Sequence, residues 1–212
     1  MLTDLLKWGG RRSGAAGDAP APREEPVVAS KAFPKFVASI AQKEAPVLLD
    51  LGPVIGPNVA FCGERLGCKL FIEDFLADVD RQLRGNGADL AAAIPTRFTH
   101  PDEGIDGILC WDLFDYLDKA SSQALAREIV RLLRPGGAVM GFFCTTGVER
   151  APFTKFEIVD EQTLRHRYHP GVGGKKHSLQ NRDIIRMFEG LIVADSFLLK
   201  HNTREMLLRK KA

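Results

Sequence analysis

Ile105-Asp106-Gly107-Ile108-Leu109-Cys110, running on into Trp111-Asp112-Leu113-Phe114-Asp115-Tyr116-Leu117, is the stretch that decides the fold. Its first six residues are apolar at nearly every position and do not alternate with polar ones. A strand covered on both faces has that pattern, because neither set of alternating side chains meets water. Beyond it, Ser121 to Leu133 repeats at helical spacing, with Leu125, Ile129, Leu132 and Leu133 along one side. Arg134-Pro135-Gly136-Gly137 then makes a tight turn, and Ala138 to Cys144 is apolar again.

The same strand-and-helix alternation extends in both directions. Phe36, Val37, Ile40 and Ala41 predict a helix leading into Pro46, and Val47 to Leu51 is a buried strand closed by Gly52. Asn58 to Leu66 reads as a helix stopped at Gly67, and Cys68 to Ile72 as a strand ending at Glu73-Asp74. Phe75 to Leu83 reads as a helix stopped at Gly85-Asn86-Gly87. Ala88 to Gly104 holds a further helix or a short strand, with Pro95 and Pro101 marking loops. Towards the C-terminus, Phe156–Val159 is strand-like and Asn181–Phe188 helical. Leu191–Lys200 and Arg204–Arg209 are two strands joined by His201-Asn202-Thr203. The expectation is one α/β domain over residues 31–212. It is doubly wound, with a mostly parallel seven-stranded sheet, helices on both faces and a C-terminal antiparallel hairpin. Residues 1–30 read as a flexible tail, because Gly9 to Glu25 is rich in Gly, Ala, Pro, Arg and Ser without apolar period.

Bulk properties narrow the function classes. The 212 residues carry a net charge of +2, with no basic excess that would indicate nucleic acid. Cys62, Cys68, Cys110 and Cys144 form no C-x-x-C pair and sit in apolar runs, as free thiols of a reducing cytoplasm do. His166 and His169 have no Cys or His at ligand spacing, so no metal is expected. No apolar run approaches the ~18 residues of a membrane span, and the N-terminus lacks the layout of a signal peptide. The expected location is the cytoplasm.

An open α/β sheet binds ligands beyond the carboxyl ends of its strands, where strand order reverses. The loop after the first strand is Asp50-Leu51-Gly52-Pro53-Val54-Ile55-Gly56-Pro57, whose glycines permit close approach of a ligand to backbone. Glu73, at the end of the next strand, is placed to accept both hydroxyl protons of a ribose. In an extended chain Asp74 points the other way, so only one of the two faces the ligand.

From Val47 to Phe143 the order and spacing of these segments resemble the class I S-adenosylmethionine (SAM) dependent methyltransferases. That family has a Rossmann-like fold, an "FD-x-V-L" strand, a polar loop flanked by aromatics, and an "L-x-P-G-G" turn. The resemblance implies SAM as cofactor and a methyl acceptor, for which the balanced charge favours a small molecule. It implies that Asp50, Gly52, Pro53 and Gly56 hold the cofactor from the loop, that Glu73 binds its ribose, and that Cys110, Trp111 and Asp112 line its methionine end. Candidate proton acceptors are Asp112, Tyr116 and His169. The 147–178 segment is expected to act as a lid, and its Arg165, Arg167, Lys175 and Lys176 read as solvated charges, with contact to an anionic substrate as the alternative. This chain departs from the family pattern in three places. Val54 stands for the middle glycine, Tyr116 for a common histidine, and only Asp89 or Asp102 is available as the acid that meets the adenine. Two other classes compete. A methyltransferase-fold binding or regulatory protein without catalysis is suggested by Val54. A nicotinamide-dependent oxidoreductase requires a G-x-G-x-x-G loop, which the chain lacks.

Overall fold

The computed structural model describes residues 25–85, 87, 89–168 and 173–212. In chain order the elements are β1 (Val27–Ala29), α1 (Phe33–Ala41), β2 (Val47–Asp50), α2 (Gly56–Ala60), β3 (Lys69–Ile72), α3 (Phe75–Leu83), α4 (Leu90–Arg97), β4 (Ile105–Trp111), α5 (Lys119–Leu132), β5 (Leu133–Cys144), β6 (Val148–Ala151), β7 (Thr154–Ile158), β8 (Thr163–Tyr168), β9 (Gly174–Lys176), α6 (Asn181–Met187), β10 (Leu191–Leu198) and β11 (Thr203–Lys210). A π-helical turn, Phe61–Arg65, prolongs α2, and a 3-10 turn, Leu113–Tyr116, follows β4.

The main sheet has six strands in the order β10-β11-β5-β4-β2-β3. The pairs β2–β3, β2–β4 and β4–β5 are parallel, while β11 runs antiparallel to both β5 and β10. Among the described residues, six mixed strands stand where seven mostly parallel ones were expected. The residues between α3 and β4 that had room for another strand form α4, capped by the Asp89 side chain on the Ala91 N–H at 3.0 Å.

Every residue of β4 is buried, which accounts for the unbroken apolar run. Its alternate side chains feed two cores. Ile108 and Cys110 pack with Leu49, Val139 and Phe143 beneath α3 to α6. Leu109 and Trp111 pack with Leu48, Met140 and Phe142 beneath α1 and a small sheet ordered β1-β8-β7. Asp106, also buried, ties the lower edge together by accepting from the Val47 N–H at 2.9 Å and the Arg134 guanidinium at 2.7 Å. At the Pro-Gly-Gly turn Gly136 takes φ +72, a backbone region most side chains avoid. The β4–β5 register shifts between Ile105 and Gly107 alongside it.

Residues 1–24 of the expected tail lie outside the described residues, but Val27–Ala29 at its end pair with β8. The 147–178 segment carries β6 to β9, and β6 pairs with β9. The four cysteines are free and buried. Among the described residues no helix is long and apolar enough to cross a membrane.

Glu205 of β11 is 1% exposed, and its carboxylate accepts from the Lys31 and Ala32 N–H groups at 2.7 and 2.9 Å. It joins the start of α1 to the sheet, where a helix presents unpaired donors and the positive end of its dipole. Glu205→Ala is expected to lower unfolding free energy by about 2 kcal/mol, because buried N–H groups lose a charged acceptor. A urea titration followed by circular dichroism measures this.

Candidate functional site

The chain leaves β2 for β3 on one side and later enters β4 on the other, so strand order reverses at β2. The carboxyl ends of β2, β3 and β4 meet there. Asp50 ends β2 with 2% exposure. One oxygen, Oδ1, accepts from the Gly52 N–H at 2.8 Å and from the Trp111 indole N–H at 2.6 Å. Burial pushes its carboxyl up to about 6, against the opposing pull of hydrogen bonds from Gly52, Trp111 and Asn58.

Gly52 is a glycine because Trp111 is so close. A Cβ there would stand 2.8 Å from the indole Cδ1. Pro53 is half-buried and Val54 and Gly56 are exposed. Apart from its chain neighbours and its own helix backbone, no atom of the described residues stands within 4 Å of where a Cβ on Gly56 would lie. The inner half of the loop is therefore packed and the outer half open.

Glu73 follows β3, and its N–H donates to the Asp50 carbonyl at 2.8 Å, which sets the two strand ends side by side. Its carboxylate pairs with Arg97 and, at 3.3 Å, with His100 Nε2. Its side chain remains 23% exposed. Asp74 turns away, and its side chain caps α3 on the Ala77 N–H at 3.1 Å. Of the two acids named for an adenine, Asp89 caps α4 through one oxygen, and Asp102 pairs with Arg131 at 2.6 Å while its side chain stays largely exposed.

At the end of β4, side-chain alternation separates two neighbours expected to act together. Cys110 points into the core beneath α5, where burial pushes its thiol far up. Trp111 points to the opposite face, against Asp50. Its ring stacks on Phe156 of β7 with centroids 5.2 Å apart, and Phe156 stacks in turn on Phe142 at 4.9 Å. Asn58 of α2 clamps this strand, donating to the Phe156 carbonyl at 2.9 Å and accepting from the Ile158 N–H at 2.7 Å.

Asp112 is buried and meets Lys176 Nζ at 2.6 Å, with Asp115 at 3.4 Å from the same ammonium. Lys176 also lies 4.9 Å from the Tyr116 ring centroid. Burial first, and then Asp112 opposed by Lys176, bring the Asp115 carboxyl up to about 7. Burial and the neighbouring Asp112 push the Tyr116 phenol far up, and its hydroxyl donates to the Pro152 carbonyl at 3.1 Å. Tyr116 is thus held as a protonated donor. His169 lies outside the described residues. Burial lowers the His166 imidazole, which packs edge-on to Phe156 at 4.9 Å.

No family model and no curated protein matches the chain. Solved structures to which it is similar include a glycopeptide N-methyltransferase, MtfA, in complex with SAM. The identity there is 14%, the alignment covers 84% of this chain and 92% of that one, and the TM-score is 0.48. A second is the 1,6-didemethyltoxoflavin N1-methyltransferase of Burkholderia thailandensis, bound to its substrate and S-adenosylhomocysteine. It is 14% identical, over 86% of this chain and 78% of that one, with a TM-score of 0.49. A third is the CcbJ methyltransferase of Streptomyces caelestis, 15% identical over 84% and 88%, with a TM-score of 0.49.

Asn58, Phe156, Arg97 and His100 are the participants that sequence reasoning missed, and Lys176, read there as a solvated charge of the 147–178 segment, pairs with Asp112 and Asp115. Asn58 stands as a polar residue in the apolar helix after the glycine loop, which is a usable signal. The others come from segments whose contacts are set only by the fold.

Asp50 and Asp115 make stability depend on pH. Both are raised in the folded chain, to about 6 and about 7, above an unfolded carboxylate near 3.9. Between those values the folded state binds more protons than the unfolded state. Their contribution is full below about pH 4 and is lost as pH rises through 6 to 7. Denaturant midpoints of the wild-type chain are expected to fall from pH 5 to 7.5, and those of Asp115→Asn to fall less. Equal slopes would refute the assignment to Asp115.

Proposed function

We propose that the chain binds SAM across the carboxyl ends of β2, β3 and β4 and transfers a methyl group from it to a small-molecule acceptor. The observation that carries this reading is the pairing of Glu73 with Asp50. Asp50 ends β2 and Glu73 follows the adjacent parallel β3 at the point where strand order reverses, and the Gly52–Gly56 loop leaves β2 there. The donor set fits the cofactor. Glu73 retains accessible carboxylate surface to accept ribose hydroxyl protons, and the open backbone about Pro53 and Gly56 lets a nucleoside approach.

A sulfonium cofactor supplies a methyl group that is already activated, so the protein contributes mainly orientation and exclusion of water. Glu73 fixes the nucleoside. Asp50 fixes the loop through the Gly52 N–H. Asp112, held by Lys176, and Tyr116, held as a donor, form the wall on the β4 side. An amine acceptor that arrives neutral needs no protein base until after transfer. A hydroxyl acceptor needs one, and Asp112 and His169 are the candidates for that role.

Isothermal titration with SAM, S-adenosylhomocysteine, NAD and NADP tests the reading. Saturable binding of the first two without the last two is expected. No heat from SAM or S-adenosylhomocysteine at millimolar concentration overturns it.

A further inference from the structure

We propose that the Trp111 side chain is a plug in the ligand site, and that an S-adenosyl ligand enters fully only when the indole releases Asp50. The proposal rests on the reading that this site takes SAM. The first support is the way Trp111 is aimed. It takes φ +50, which is uncommon for a bulky side chain, and the β4–β5 register shifts between Leu109 and Trp111. A bulge of this kind re-aims a side chain beside a site. Here it directs the indole N–H to Asp50 Oδ1.

The second support is steric. Indole atoms Cδ1 and Nε1 stand 2.8 and 2.9 Å from where a Gly52 Cβ would be, so no ligand atom fits between them and that backbone. Asp50 is buried beneath the same ring. The outer loop is different, since Val54 is exposed and Gly56 has open space. The outer part of the loop is therefore open, and the backbone at Gly52 is closed.

The third support is chemical. Removing the indole N–H from a buried carboxylate without replacement is costly, but an ammonium group replaces it as a donor. The amino group carried by SAM and S-adenosylhomocysteine supplies that donor, and adenosine does not. The plug is held from behind by Phe156, whose strand is clamped by Asn58. Apparent affinity is reduced by the fraction of molecules in which the indole has swung away.

The test uses the full chain, in which Trp8 and Trp111 are the two tryptophans, with Trp8→Phe as background so that emission reports Trp111 alone. Saturating S-adenosylhomocysteine is expected to red-shift that emission, and adenosine to leave it in place. Trp111→Phe keeps an aromatic ring for the stack but lacks the N–H. It is expected to bind S-adenosylhomocysteine about tenfold more tightly, the effect of one hydrogen bond to a charged group, with adenosine affinity unchanged. Trp111→Ala should change affinity in the same direction, and circular dichroism checks its folding. Unmoved emission, or weaker binding of S-adenosylhomocysteine by a folded Trp111→Phe chain, overturns the plug and leaves the cofactor reading standing. No binding by wild type and both variants overturns the two together.

Discussion

Replacing Lys176 with methionine is expected to lower stability by about 3–5 kcal/mol, the effect of removing one partner from a buried ion pair. Lys176 lies within 2.6 Å of Asp112 and 3.4 Å of Asp115, and both carboxylates are buried. Methionine keeps most of the side-chain volume and leaves the two acids facing each other without a cation. Asp115 is already raised to about 7 and should then take up its proton at still higher pH. The loss is therefore expected to be larger at pH 8 than at pH 5. Adding Asp112→Asn to Lys176→Met should recover part of it, because one uncompensated charge is removed. Urea denaturation of wild type, both single variants and the double variant at the two pH values gives the coupling directly. A loss below 1 kcal/mol at pH 8 would mean that water reaches the cluster and screens it.

The second large effect is on binding. Glu73→Ala is expected to weaken S-adenosylhomocysteine by about two orders of magnitude. Two hydrogen bonds from ribose hydroxyls to a charged acceptor are lost, at about 1.5 kcal/mol each. Its effect on folding should be small. Glu73 is partly exposed, so its pairs with Arg97 and His100 contribute about 1 kcal/mol or less. Arg97 retains Asp78 at 3.1 Å. Calorimetric titration of the variant, beside a thermal melt to confirm folding, separates the two effects. Unchanged affinity would place the ribose elsewhere and remove the main support for the cofactor reading.

The two cores explain why much of the main sheet is legible in the linear chain and the small sheet is not. Strands β2, β4 and β5 are covered on both faces, so their residues are selected for apolar character one after another. The helices between them carry one apolar side and a stop signal. The small sheet packs one face on the core, and its residues mix Phe156 and Leu164 with Glu157, Arg165 and Arg167. Arg165 and Arg167 both pair with the buried Glu157, at 2.5 and 2.9 Å. A charged stretch that is internally paired has the same local composition as a solvated one. For that reason β1 and β8 give no periodic signal, and of this sheet only the Phe156–Val159 stretch at β7 reads as a strand.

At the site the division falls between types and contacts. That Asp50, Gly52 and Glu73 stand at the ends of two strands follows from strand length and the position of the glycines, which are local properties. The burial of Asp50 depends on Trp111, 61 positions away, and the packing of Trp111 on Phe156 and Asn58. Side-chain alternation along β4 sends Cys110 to one core and Trp111 to the other, but alternation alone does not say which face holds the loop. The sequence by itself determined the α/β alternation and the acids at the strand ends, because each is written in runs of adjacent residues. The tertiary structure decided which groups meet those acids: an indole on Asp50, a guanidinium and an imidazole on Glu73, and a lysine on Asp112. Those partners come from segments far apart in the chain, and only packing brings them within hydrogen-bond distance.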